Sequence, residues 1–166
     1  MQLSSLKDTE NLSKKFTKII KSGDVIFLYG EIGTGKTTFV RFLINHLEVE
    51  NQIKKSDILS PTFNIVYDYE IGKIKIHHYD LYRLKNYKDI LELGMFDNSE
   101  KHIKIVEWPE LIETKPKDRI ELFFDWYLPL FLIKKKNKEF KKKAKKILSQ
   151  LYSRLSFPNS CFVHRA

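Results

Sequence analysis

Cysteine is nearly absent: Cys161 is the single one among 166 residues. That excludes an internal disulfide framework and any zinc site built from several cysteines, and it fits a reducing compartment. Long apolar runs are missing as well. The longest candidate, residues 126–133, falls well short of the roughly 18 residues that a membrane-spanning helix needs. No opening segment combines a basic patch, an apolar stretch and a small-residue cleavage site, so neither an anchor nor a secretory signal is expected, and the chain reads as cytoplasmic. There is no internal repeat. With 42% hydrophobic residues, the chain can bury one ordinary core, which leaves room for one domain and its appendages.

Charge is abundant but unevenly placed. The formal net charge is +9. From Lys134 onward, nine lysines and two arginines stand against Glu139 alone, a balance of +10, whereas the residues before it hold 19 basic and 20 acidic side chains, or −1. The body is neutral and the tail basic, which argues against nucleic-acid binding by the body. We therefore divide the chain into a domain over residues 1–125 and a basic extension over 126–166, partly helical or disordered. Its lysine run reads as a solvated segment, because blocks of like charge repel. The alternative is an RNA-contacting tail with salt-sensitive affinity. Beyond the run, Ile147, Leu148, Leu151 and Leu155 fall at the spacing of a short amphipathic helix.

Within the body, Asp8 or Thr9 can cap a first helix carrying Leu12, Phe16, Ile19 and Ile20, with Gly23 placed to end it. Residues 24–29 form a continuous apolar run, the pattern of a buried central strand, and lead into a glycine-rich stretch. A helix over residues 36–47 follows. Residues 62–70 and 73–79 read as strands joined only by Ile71 and Gly72, too short for a parallel crossover, so they form an antiparallel hairpin. A short helix near residues 89–93, a strand over 102–107 and a last strand over 118–124 complete the body. The alternation predicts an α/β fold of three layers, P-loop NTPase-like, with a mixed, mainly parallel sheet containing one antiparallel hairpin.

The glycine-rich stretch fits G-x-x-x-x-G-K-[ST] through Gly30, Gly35, Lys36 and Thr37. Glycines allow successive backbone N–H groups to turn inward around an anion, and the following helix adds its positive end. Lys36 can reach the β and γ phosphates, and Thr37 can offer its hydroxyl to Mg2+. The loop residues Gly30, Glu31, Ile32, Gly33, Thr34 and Gly35, with Lys36, Thr37 and Thr38, are therefore the expected nucleotide contacts. A Mg2+-nucleotide site also needs an acid at the end of a neighbouring strand, and Asp80 and Glu107 both qualify. His77 and His78 adjoin Asp80, but alternation puts them on opposite faces and neither has a second ligand at helical spacing, so a metal role is not expected. Ser60, Pro61 and Thr62 read, from local features alone, as an ordinary turn before a strand.

Taken in order, five blocks resemble the TsaE family, the ATPase component of bacterial tRNA threonylcarbamoyladenosine synthesis: LYGEIGTGKTTFVR, SPTFNIVYDYE, HHYDLYRL, ELGMFD and IKIVEWPE, within residues 5–125. The resemblance implies an ATP hydrolase that is weak alone and acts with two partner proteins, TsaB and TsaD, on the adenosine beside the anticodon, meeting tRNA indirectly or through the basic tail. By position it assigns phosphate contact to Lys36, Mg2+ binding to Thr37 and Glu107, and water positioning or a metal link to Asp80. Thr62 falls in a switch-like segment and Thr9 near the nucleotide base. Trp108 reads by itself as a core or interface aromatic, and the resemblance places it in the family's E-W pair, where it helps to shape the site. Tyr82 and Arg83 serve either the site or a partner surface. A small-molecule or nucleotide kinase is the alternative, although no arginine-bearing lid precedes residue 125. A GTP-driven switch is disfavoured, since neither N-K-x-D nor D-x-x-G occurs.

Overall fold

The apolar run after Gly23 becomes strand β1 (Val25–Tyr29), whose first four residues are buried. The structure is a computed structural model that describes residues 6–96, 101–125 and 130–132. The lysine run and the amphipathic segment after it lie outside the described residues. Strand β1 is sandwiched in parallel between β4 (Ile103–Glu107) and β5 (Ile120–Phe123). Strand β3 (Ile74–Asp80) runs parallel beside β4. Antiparallel strands close both edges, β2 (Val66–Ile71) on β3 and β6 (Leu130–Leu132) on β5. The sheet order is β2-β3-β4-β1-β5-β6.

The expected hairpin is present with two shifts. Its first strand begins at Val66 instead of residue 62, and Ile71 belongs to the strand, paired with Ile74, so the connection is Gly72 and Lys73. Ile71 is 1% exposed and part of the core. Gly72 takes the left-handed φ of 59°, which a β-branched residue resists. The β5–β6 pair is a second antiparallel pairing that the sequence reading did not place, and it lies past residue 125.

Strand alternation sorts the two faces. Ile26 and Leu28 of β1, Ile76 of β3, Ile103 and Ile105 of β4, and Ile120 and Leu122 of β5 pack with helices α1 (Leu6–Phe16) and α2 (Lys36–Glu50). On the opposite face Val25, Phe27, Tyr79 and Val106 pack against Ile90 of α3 (Tyr87–Glu92), Met95 and Ile112. Two helical layers on a parallel sheet bury both faces of the central strands, which is why those strands are apolar throughout. Phe39 of α2 is fully buried and meets Phe16 edge-on at 5.5 Å and Phe124 at 5.7 Å between ring centroids. One ring thus ties α1, α2 and the end of β5 together, and burial of such a side chain stabilises by roughly 1.5–3 kcal/mol.

Helix boundaries differ from expectation: α1 ends at Phe16, before Ile19, Ile20 and Gly23, and α3 begins at Tyr87 instead of near residue 89. Asp8 lies in the first turn of α1 and Thr9 inside the helix, so neither caps it; an acid there still favours the helix dipole. Helix α2 runs on to Glu50, where Asn51 Nδ2 donates to the Leu47 carbonyl at 2.8 Å, satisfying a carbonyl that the helix end leaves open.

Candidate nucleotide site

The carboxyl ends of the parallel strands β1, β3 and β4 point to one rim, where ligands of open α/β sheets bind. Gly30 to Gly35 leave β1 there and turn into α2. Gly35 is the N-cap of α2 with φ 98°, a conformation that glycine adopts without strain. The Lys36 ammonium folds back to donate to the carbonyls of Gly30 at 2.6 Å and Glu31 at 2.9 Å. It also stands 3.9 Å from the ring centroid of Trp108. Burial pushes its pKa down, opposed by the carboxylates of Glu107, Glu110, Asp80 and Glu31.

Alternation places the acids. On β3, His78 and Asp80 share the face of Ile76; on β4, Glu107 shares the face of Ile103 and Ile105. All three residues therefore look toward the start of α2. Asp80 and Glu107 are opposite each other in the β3–β4 register, and both are almost fully buried. The Thr37 hydroxyl lies 2.9 Å from each carboxylate oxygen of Glu107, and His78 Nε2 lies 2.8 Å from Oε1. Asp80 Oδ2 accepts from Ser60 Oγ at 2.8 Å and from Thr62 Oγ1 at 2.5 Å, while Oδ1 accepts from the Tyr82 N–H at 3.0 Å.

The segment that brings Ser60 and Thr62 to Asp80 is a strained turn. Ile65 has φ 67°, an outlier for a β-branched residue that costs on the order of 1–3 kcal/mol. Its N–H donates to the Pro61 carbonyl, and its own carbonyl accepts from the Asp80 N–H at 2.9 Å. Backbone and side-chain bonds thus converge on Asp80. Trp108, also left-handed at φ 59°, follows Glu107 and packs its ring 4.9 Å from that of Tyr82.

These groups surround a cavity of about 380 Å³ lined by Ile32, Gly33, Gly35, Lys36, Thr37, Thr38, Ser60, Thr62, Asp80, Tyr82, Glu107 and Trp108. Gly30, Glu31 and Thr34 belong to the loop but not to the wall: the first two engage Lys36, and Thr34 Oγ1 closes the turn onto the Glu31 carbonyl at 2.8 Å. Thr9 sits in α1, buried, and does not line the cavity. By sequence alone Ser60 reads as turn material, Tyr82 serves either the site or a partner surface, and His78 carries no role beyond a disfavoured metal ligand. The period-two relation of His78 to Asp80 was the available signal for its face.

Among the described residues no three His, Cys, Asp or Glu side chains are grouped to hold a metal unaided. A hydroxyl and two carboxylates suit Mg2+, which takes few protein oxygens and completes its shell with phosphate and water. Among the described residues no helix is long and apolar enough to cross a membrane.

The family described as "Threonylcarbamoyl adenosine biosynthesis protein TsaE" matches residues 3–127. A Rickettsia typhi protein named tRNA threonylcarbamoyladenosine biosynthesis protein TsaE is 37% identical over 139 residues, covering 81% of this chain and 94% of its own. The protein of the same name from Aquifex aeolicus is 40% identical over 121 residues, 71% of this chain and 80% of its own. The crystal structure of YdiB from Bacillus subtilis superposes with a TM-score of 0.64 at 22% identity, over 90% of this chain and 93% of that one, a likeness of fold. With the family match spanning most of the domain and relatives well above 30% identity, the chain belongs to the TsaE family.

Proposed function

We propose that the cavity binds ATP with Mg2+ and hydrolyses the γ-phosphate bond, and that the chain is the ATPase subunit for threonylcarbamoyl modification of the tRNA adenosine beside the anticodon. The observation that carries this reading is the contact of the Thr37 hydroxyl with Glu107 at the mouth of the loop. A hydroxyl that gives its proton to a carboxylate keeps its lone pairs for a cation. Bound Mg2+ would supply positive charge against the triphosphate at Thr37 and Glu107, with Asp80 beside them. Lys36 then exchanges the carbonyls of Gly30 and Glu31 for phosphate oxygens, and the loop N–H groups at the start of α2 hold the rest of the anion. Asp80, once released by Thr62 and Ser60, is placed to orient the attacking water.

Partner dependence follows from the arginines. Among the described residues none lines the cavity: Arg41 Nε donates to the Ile58 carbonyl, Arg119 pairs with Glu121, and Arg83 lies 4.9 Å over the Phe63 ring. A P-loop site without an arginine finger turns over slowly until a partner supplies the missing charge. We infer that TsaB and TsaD are the partners, with tRNA met indirectly or through the basic tail. The test is reconstitution with TsaB, TsaD, tRNA and ATP, scoring both ATP turnover and modified adenosine. Lys36→Ala and Glu107→Ala are each expected to lower both by a hundredfold or more, roughly the effect of deleting a charge-stabilising group. Variants that keep wild-type turnover and modification would overturn the reading.

A further inference from the structure

His78 is fully buried on β3, on the face of Ile76 and Asp80, and its register partner on β4 is the apolar Ile105. An imidazole in such a place costs desolvation that an isoleucine would not. Its Nε2 makes a hydrogen bond to Glu107 Oε1 at 2.8 Å, while its Nδ1 is buried without a partner. A carboxylate oxygen only accepts, so Nε2–H is the donor in its hydrogen bond to Glu107 Oε1.

The geometry around Glu107 shows what the donation achieves. Thr37 Oγ1 is equidistant from the two carboxylate oxygens, 2.9 Å from each, so the threonine alone does not distinguish them or fix the carboxylate plane. His78 does, by engaging Oε1 only. Oε2 keeps the freer lone pairs. We infer that His78 is a positioning residue that locks the Glu107 carboxylate through Oε1 and thereby presents Oε2, together with the Thr37 hydroxyl, to the divalent cation of the nucleotide complex. It acts through Glu107 and touches neither nucleotide nor metal. The inference rests on the reading of Glu107 as a metal ligand.

The test is binding of a non-hydrolysable ATP analogue to the full chain by calorimetry, in Mg2+ and in EDTA, for wild type, His78→Leu, His78→Gln and Glu107→Gln. The gain in affinity on adding Mg2+ is the readout. Groups that orient a metal ligand typically contribute 10–100-fold to metal affinity, so His78→Leu is expected to lose about tenfold or more of the gain while the affinity in EDTA stays within about twofold. His78→Gln, which offers an N–H near the Nε2 position, restores most of it. A wild-type chain with no Mg2+-dependent gain, or a Glu107→Gln variant that keeps it, removes the reading of Glu107 itself. Loss of the gain in Glu107→Gln but not in His78→Leu, or an equal loss in Mg2+ and EDTA, overturns the role of His78 alone. If the leucine variant does not fold, NMR of the ¹⁵N-histidine-labelled wild type and Glu107→Gln decides: the His78 Nε2–H signal, slow to exchange in the wild type, must change strongly in Glu107→Gln, and an unchanged signal refutes the contact.

Discussion

The Thr62 hydroxyl stands 2.5 Å from Asp80 Oδ2, and the Ser60 hydroxyl reaches the same oxygen at 2.8 Å while lying 2.7 Å from Thr62 Oγ1. Two donors on one acceptor, in contact with each other, form one network. Hydrogen bonds of this kind contribute about 1 kcal/mol each, and contacting members do not add. Ser60→Ala and Thr62→Val should therefore each cost about that much, with a coupling of at least about 0.5 kcal/mol in the double variant. Urea unfolding of the four proteins measures it. Strict additivity would mean that the two hydroxyls act separately and that the turn over residues 60–65 is not latched to Asp80 as a unit.

Gly30 and Gly35 occupy the two fixed glycine positions of the motif for different reasons, and alanine separates them. A Cβ on Gly30 would lie 2.2 Å from the Phe124 carbonyl oxygen, and its φ is 134°. At Gly35 nothing lies within 4 Å of such a Cβ, although φ is 98°. Gly30→Ala adds a backbone clash to conformational strain and is expected to cost on the order of 3 kcal/mol or more. Gly35→Ala carries strain alone, roughly 1–2 kcal/mol, but alters the wall of the cavity. Thermal melting should rank Gly30→Ala as the less stable protein. The reverse order would show that the approach of Phe124 does not constrain the loop.

That contrast marks how far the sequence could be read. The loop was legible because its chemistry is local: Gly35, Lys36 and Thr37 are adjacent, and the helix they open follows at once. The acids were legible as strand ends, since Ile103, Ile105 and Val106 announce Glu107. Contacts between distant segments were not. Nothing near Gly30 indicates Phe124, and nothing near His78 indicates Glu107, because register between strands is a tertiary property. Residues 62–65 read as strand from sequence but belong to the turn, since β-propensity at Phe63 and Ile65 gives no sign of the hydrogen bonds that bend the segment onto Asp80. Strand β6 was missed for a similar reason: Leu130–Leu132 follows a proline and has no alternation, and pairing with β5 alone defines it.

Lys36 separates the contribution of a side chain to stability from its contribution to binding. The residue is 4% exposed, and the desolvation this entails is offset by two carbonyls and the face of Trp108. Desolvation and the two hydrogen bonds oppose each other, so Lys36→Met, which keeps the length of the chain and removes the charge, should change the stability of the nucleotide-free protein by no more than about 1 kcal/mol in either direction. Ligand linkage responds differently. A nucleotide at a hundredfold excess over its Kd stabilises the native state by about 2.7 kcal/mol, and in the methionine variant that increment should vanish at the same concentration of MgATP. Thermal shift with and without MgATP measures both quantities on the same two proteins. A large loss of stability without nucleotide would make Lys36 a structural tether of the Gly30 and Glu31 carbonyls, whereas an intact MgATP shift would remove it from the phosphate site.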